Sequence, residues 1–387
     1  MRRLLTSPAI ALVAALAAGC GGSPSDPTVV GLGLAEALGG AADGEGFLRA
    51  TARPALQFPR DHGPHPGFRT EWWYVTGNLD AADGRRFGVQ LVFFRQALAA
   101  VAPARSGSLA AREVVLAHAA VTDVEGGRFF AEERMGRLAG GVAELRGGDG
   151  APFRVVCADW SAAAAEGGDG FLPLDLRAAG RGFDFELRVS PGKALVLQGD
   201  GGWSQKSAAP GNASIYYSMT RLPLAGAIRI GGQRREVRGL GWIDREWSTS
   251  ALGPDQVGWD WFSLQLDNGE ELMWYRLRRR DGSVDPMSRG SLVEAGGSLV
   301  ALAPMGVDAV PEGSWTARDG AARYPARWRL RSAAPQFDLE IEPLLADQEL
   351  RALVRYWEGA VAVRGTRGGV PVSGRGYLEM TGYAGVR

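Results

Sequence analysis

The sequence predicts an all-β chain of antiparallel strands that fit sandwiches or barrels, two barrels accounting for the length, with few short helices. Three observations carry this. Apolar residues alternate with polar ones at period two, as in Phe183, Phe185, Leu187 and Val189 against Asp184, Glu186 and Arg188, the pattern of a half-buried strand. Turn pairs separate such runs: Asn268-Gly269, Gly231-Gly232, Gly296-Gly297 and Gly368-Gly369 each read as a hairpin. Finally, 56 glycines and 21 prolines among 387 residues leave few stretches with a helical period. Residues 30–38 and 343–353 are the exceptions, each predicting one short helical piece. The length suits two domains.

Taken in order, the chain opens with an address. Arg2 and Arg3 precede an unbroken apolar stretch at 9–18, long enough for a signal-peptide core and too short to span a bilayer. It ends Leu16-Ala17-Ala18-Gly19-Cys20, a lipobox-like sequence that predicts cleavage after 19 and acylation of Cys20. Residues 1–19 therefore read as a signal peptide and 20–57, rich in Gly, Ala, Pro and Asp, as a flexible tether. The expected address is the bacterial cell envelope, either as a lipoprotein anchored through Cys20 on the periplasmic face or as a secreted protein. Export or transport machinery is the expected protein partner. Two domains follow, at 58–250 and 251–387, divided at a seam near 248–256.

Composition narrows the function. Lys+Arg and Asp+Glu both total 43, and this balance argues against a nucleic-acid partner. Only Lys193 and Lys206 are lysines. Hydrophobic residues make up 45%, enough for two cores. Cys157 sits in an apolar strand-like run and reads as a small buried hydrophobe. No glycine-rich phosphate loop and no Gly-x-Ser-x-Gly elbow is present, so no nucleotide or other cofactor is expected. His62 and His65 beside Asp61, with His118 far along the chain, are weak grounds for a metal, and none is expected.

Chemistry concentrates in three motifs. Thr70-Glu71-Trp72-Trp73-Tyr74 places Glu71 and Trp73 on one strand face, Trp72 and Tyr74 on the other. Gly241-Trp242-Ile243-Asp244-Arg245-Glu246-Trp247 sets Asp244 and Glu246 opposite Arg245 and Trp247. In Gly258-Trp259-Asp260-Trp261-Phe262, two indoles flank a carboxylate. A carboxyl desolvated by aromatic walls keeps its proton and serves as an acid. The same residues equally suit buried pairs with arginine, and the sequence leaves both readings open.

These motifs, together with Ile215-Tyr216-Tyr217-Ser218, Tyr324-Pro325-Ala326-Arg327-Trp328, Tyr356-Trp357-Glu358-Gly359 and Gly376-Tyr377-Leu378-Glu379-Met380-Thr381-Gly382-Tyr383, resemble the AttH/CrtC-like family. That family includes proteins labelled secreted hydrolases and carotenoid 1,2-hydratases. The resemblance spans about 58–383 and implies tandem lipocalin/calycin-like barrels with a ligand cavity in or between them. The first expectation is a binding protein for an apolar small molecule, an isoprenoid or lipid, held by Glu71, Trp72, Trp73, Tyr74, Tyr216, Trp247, Trp259 and Trp261. The alternative is a hydro-lyase. In it Asp244, Glu246 or Asp260 protonates an isolated alkene, Trp247, Trp259 or Trp261 stabilises the cation through its ring face, and water captures it. A third, purely structural or attachment role requires no cavity. One departure bears on the choice: the family usually reads Asp-His-Glu-Trp where this chain has Arg245, and a guanidinium cannot shuttle a proton as imidazole does.

Overall fold

The alternation builds the predicted all-β architecture. A computed structural model describes residues 44–100, 112–148, 150–250 and 252–384, with the backbone of Leu32–Gly33. One sheet runs in the order Arg128–Arg137, Glu113–Asp123, Arg86–Ala97, Thr70–Ala81, Gln233–Ser248, Ala213–Ile230, Phe183–Val189, Leu174–Gly180, Trp160–Ala164, Ala151–Cys157 and Ala143–Gly148. It curls until Cys157 Sγ lies 3.5 Å from the Val115 carbonyl across the gap, so the barrel is nearly closed. The second sheet runs Leu299–Leu302, Arg289–Val293, Glu271–Arg279, Gln256–Leu266, Val370–Met380, Val354–Arg367, Gln336–Pro343, Arg327–Ala333 and Asp308–Glu312. The long ladders are antiparallel; Leu32–Gly33 runs parallel to Val354–Arg355.

All four glycine-containing turns close hairpins. Gly231-Gly232 and Gly368-Gly369 take nearly the same backbone, φ +57° and +82° in one and +58° and +82° in the other. Two successive positive φ values match the right-handed twist of the flanking strands and suit glycine. The helical expectation at 343–353 is not met: Pro343 ends a strand, and Glu349–Arg351 pairs with Val354–Arg367. Gln348 explains this, since its side chain bonds the backbone of Ala360 from both ends and holds the segment extended against the sheet. Among the described residues the only helical turn is Arg60–His62. The signal peptide, Cys20 and most of the expected tether lie outside the described residues. Residues 44–57, expected as tether, instead pack on the first barrel, where the Trp203 indole donates to the Ala50 carbonyl at 2.9 Å.

Each barrel fills its own interior. Trp73, Val75, Phe93, Phe153, Tyr217 and Trp247 belong to the first core. Phe262, Trp274, Trp328, Trp357 and Leu378 belong to the second. A third apolar cluster joins residues of both sheets: Tyr74, Phe94, Tyr216 and Trp242 from the first, Trp261, Met273, Tyr275, Tyr356 and Tyr377 from the second. The outer faces of the two barrels thus form a seam, and the strands along it are buried on both sides. Polar bonds cross it. Glu271, fully buried, takes Lys193 at 2.9 Å, Thr220 at 2.9 Å and Arg221 from the first barrel.

Removing one partner of a buried pair costs about 3–5 kcal/mol. Glu271→Gln should therefore lower stability by about 3 kcal/mol, Arg221 being partly exposed, and shift the urea midpoint down. An unchanged midpoint would mean that the seam does not depend on this cluster.

Candidate functional site

A recess opens in the seam, lined by Trp72, Tyr74, Phe94, Tyr216, Trp259, Trp261 and Tyr275 and by four carboxyl residues, Asp244, Glu246, Glu358 and Glu379. Its cavity volume is about 70 Å³, that of a narrow slot wide enough for several waters.

Strand parity decides which residues reach it. On Gln233–Ser248, Trp242, Asp244, Glu246 and Ser248 face the seam, while Ile243 and Trp247 enter the first core. Register sets Asp244 between Tyr74 and Ser218, and Glu246 between Trp72 and Tyr216. On the other barrel Glu358 lies directly opposite Glu379, which brings their Cβ atoms to about 5 Å.

Asp244 accepts hydrogen bonds from Ser218 at 2.5 Å, Tyr216 at 2.6 Å and Trp242 at 2.8 Å. Burial nevertheless outweighs these donors, and with some help from Glu246 pushes its pKa up to about 7. Glu358 and Glu379 are raised too, by burial first and by neighbouring carboxyls second. Two like charges on facing positions cannot both persist without water, so the pair holds at least one proton. Glu246 differs, for Lys206 sits 2.9 Å away and Ser214 donates to it.

Of the residues singled out from sequence, the recess gathers Trp72, Tyr74, Tyr216, Asp244, Glu246, Trp259 and Trp261. Glu71, Trp73, Trp247 and Asp260 lie elsewhere. Glu71 points into the first barrel, where Arg95, Arg245 and His65 surround it. Burial acts to raise its pKa, but those partners reverse the effect and hold it well below the carboxylate range. Trp73 and Trp247 flank the Arg245 guanidinium, 3.9 and 5.3 Å from their ring centroids. Asp260 turns into the second barrel, hydrogen-bonded to Arg276 at 3.2 Å and Tyr383 at 2.8 Å and ion-paired with Arg278 at 3.3 Å. For Glu71 and Asp260 the arginine-pair reading applies, because odd and even positions of a strand face opposite ways.

Arg245 is corrected on the same ground. It sits on the barrel face of its strand, donating to the carbonyls of Trp72 and Gly63, each at 2.7 Å. Its replacement of histidine therefore leaves the recess untouched. His65 stacks on Trp247 at 3.7 Å and His62 on Phe171 at 4.2 Å. His118 bonds Tyr356 at 2.8 Å and Glu133 at 3.0 Å on the seam. Among the described residues no three His, Cys, Asp or Glu side chains are placed to hold a metal.

Sequence reasoning missed Glu358, Glu379, Lys206 and Ser248 as site residues. Glu358 and Glu379 stood in quoted motifs. Their signal was a carboxylate on the alternate from a core residue, Trp357 in one case and Leu378 in the other.

Fold and site together define a two-barrel, lipocalin-like protein with a desolvated acidic recess between its barrels. The AttH-like family profile matches residues 49–383, and the chain belongs to that family. Among solved structures, an AttH protein of Nitrosomonas europaea is 33% identical with a TM-score of 0.76, over 87% of this chain and all of that one (100%). Kievitone hydratase of Nectria haematococca aligns at 15% identity and TM-score 0.67, over 87% and 96% of the two chains. CghA aligns at 14% and 0.52, over 87% and 95%. The last two share the fold alone. No curated protein matches.

Asp244 ionises near 3.8 in the unfolded chain and about 7 in the folded one. Between those values the folded state holds the extra proton, so its contribution is present below about pH 4 and is lost as pH rises toward 7. Unfolding free energies measured against Asp244→Asn should show wild type losing ground across that window, by roughly 4 kcal/mol at 1.36 kcal/mol per unit, and levelling off above it. A flat difference would place the carboxyl in water.

Proposed function

We propose that the chain binds an apolar, unsaturated small molecule in the seam recess and adds water to its double bond by acid–base catalysis. The observation that carries this reading is the group of carboxyls held protonated near neutral pH by burial beside indole faces. Asp244, with Tyr216 as the hydroxyl bonded to it, gives a proton to one alkene carbon. The other carbon becomes a tertiary cation facing Trp72, Trp259 and Trp261, whose ring quadrupoles favour positive charge. Water attacks that carbon, and its surplus proton passes to a seam carboxylate of the Glu358–Glu379 pair. Proton exchange within the seam then restores Asp244. The sum is alkene plus water to alcohol, with no other reagent.

A carrier would need the recess but not the acids. Burying three carboxyls costs stability that holding a hydrocarbon does not require, so catalysis accounts for more of the site than carriage does. The fold shared with kievitone hydratase agrees with this reading without establishing it. We also place the chain at the cell envelope through acylated Cys20; Cys20→Ser should move it from the membrane to the soluble fraction.

The test is incubation with a panel of isoprenoid alkenes in ¹⁸O-water, with mass spectrometry of any alcohol. Wild type should incorporate the label. Asp244→Asn and Glu379→Gln should each slow turnover by about 10²-fold or more, the usual contribution of a general acid or base, with ligand affinity nearly unchanged. Equal rates in wild type and Asp244→Asn, or no labelled alcohol from any probe, would sink the catalytic reading and leave the carrier.

A further inference from the structure

The recess has a second polar end that acid–base chemistry leaves unused. Along the seam face of Gln233–Ser248 the order is Asp244, Glu246, Ser248, in steps of about 7 Å. At the middle position stands Lys206, only 8% exposed, its Nζ 2.9 Å from Glu246 and 4.2 Å from the Tyr275 ring centroid. At the last, Ser248 is 1% exposed, and its hydroxyl has no hydrogen-bond partner. Both line the recess. Leaving a buried hydroxyl unpaired costs about 1–3 kcal/mol, and an ammonium carries three N–H donors, more than one carboxylate oxygen satisfies. The protein bears these costs where a ligand would relieve them.

We propose that Lys206 and Ser248 receive an oxygen atom of the ligand, so that the recess selects a neutral amphiphile, an apolar chain or ring ending in a carbonyl or hydroxyl group. Neutrality follows from the charges present. Lys206 is paired with Glu246, and the other acidic groups of the recess have no cation beside them, so an arriving anion would bring uncompensated charge into a buried site. A plain hydrocarbon would leave Ser248 unpaired, and sites built to bond an oxygen reject analogues lacking one. The span from Ser248 to Asp244, about 13 Å along the strand, sets the reach between that oxygen and the carbon protonated by Asp244. The inference rests on the recess being a ligand site and does not depend on turnover.

Quenching of Trp72, Trp259 and Trp261 fluorescence reports binding. The intact protein is titrated with geranylacetone, with the hydrocarbon of the same skeleton lacking the carbonyl, and with geranic acid. The ketone should bind about tenfold or more tighter than either, the equivalent of one satisfied buried hydrogen bond. Ser248→Ala and Lys206→Met should each shrink that advantage to about threefold or less while hydrocarbon affinity holds. The double variant Lys206→Met/Glu246→Gln strands no carboxylate and tests the lysine should the single variant misfold. Equal binding of ketone and hydrocarbon, tighter binding of the acid, or an advantage that survives both single substitutions overturns the proposal. Selectivity without labelled alcohol would remove only the catalytic reading, alcohol without selectivity only this one, and no quenching by any probe both.

Discussion

Burial of strands on both faces is the constraint from which the rest follows. A barrel strand ordinarily turns one row of side chains to its core and the other to water. Here the outer rows of Thr70–Ala81, Gln233–Ser248, Gln256–Leu266 and Val354–Arg367 meet across the seam, so the second row is desolvated as well. A polar group there costs stability unless it finds a partner or changes its charge. Gln90 therefore reaches Tyr356 and Glu358, at 3.0 and 2.6 Å, Asn78 reaches the Gly376 carbonyl, and Gln265 the Thr220 and Gly241 carbonyls. Some carboxyls there sit beside a cation; others have only neutral donors, and burial raises their pKa.

This division sorts the acidic residues. Glu71, Asp260 and Glu271 each touch two cations and hold the framework together. Asp244, Glu358 and Glu379 have hydroxyl, indole or amide donors instead, and burial dominates their titration. The two classes occur on adjacent strands, and Asp244 and Arg245 are adjacent in sequence. Face, more than neighbourhood in sequence, determines the chemistry.

Fold was legible because alternation and glycine turns are local properties. Phe183–Val189 and its hairpin to Leu174–Gly180 required no knowledge of the rest of the chain. The site was legible only to the level of parity. Period two separates Asp244 and Glu246 from Arg245 and Trp247, but where both rows are apolar or aromatic, as in Trp72-Trp73-Tyr74, nothing local says which row is core. Trp73 and Trp247, expected to hold a ligand, pack around Arg245 in the first core. Lys206 was illegible for another reason: it lies on the connection after Trp203–Gln205, and only the closing of the two barrels brings it to Glu246.

Geometry also explains why the recess lies between barrels. Inside each one, facing rows of Trp, Phe and Leu side chains fill the space, and any void would forfeit their packing. Outside, the recess opens where the faces of the two barrels meet, so it takes no space from either core. Most of the residues that line it stand on long strands of the two sheets, which fixes their positions. They can vary in chemistry without repacking an interior. A fold arranged this way can keep its barrels and change what it binds, because the groups that touch a ligand and the groups that hold the barrels together occupy opposite faces of the same strands.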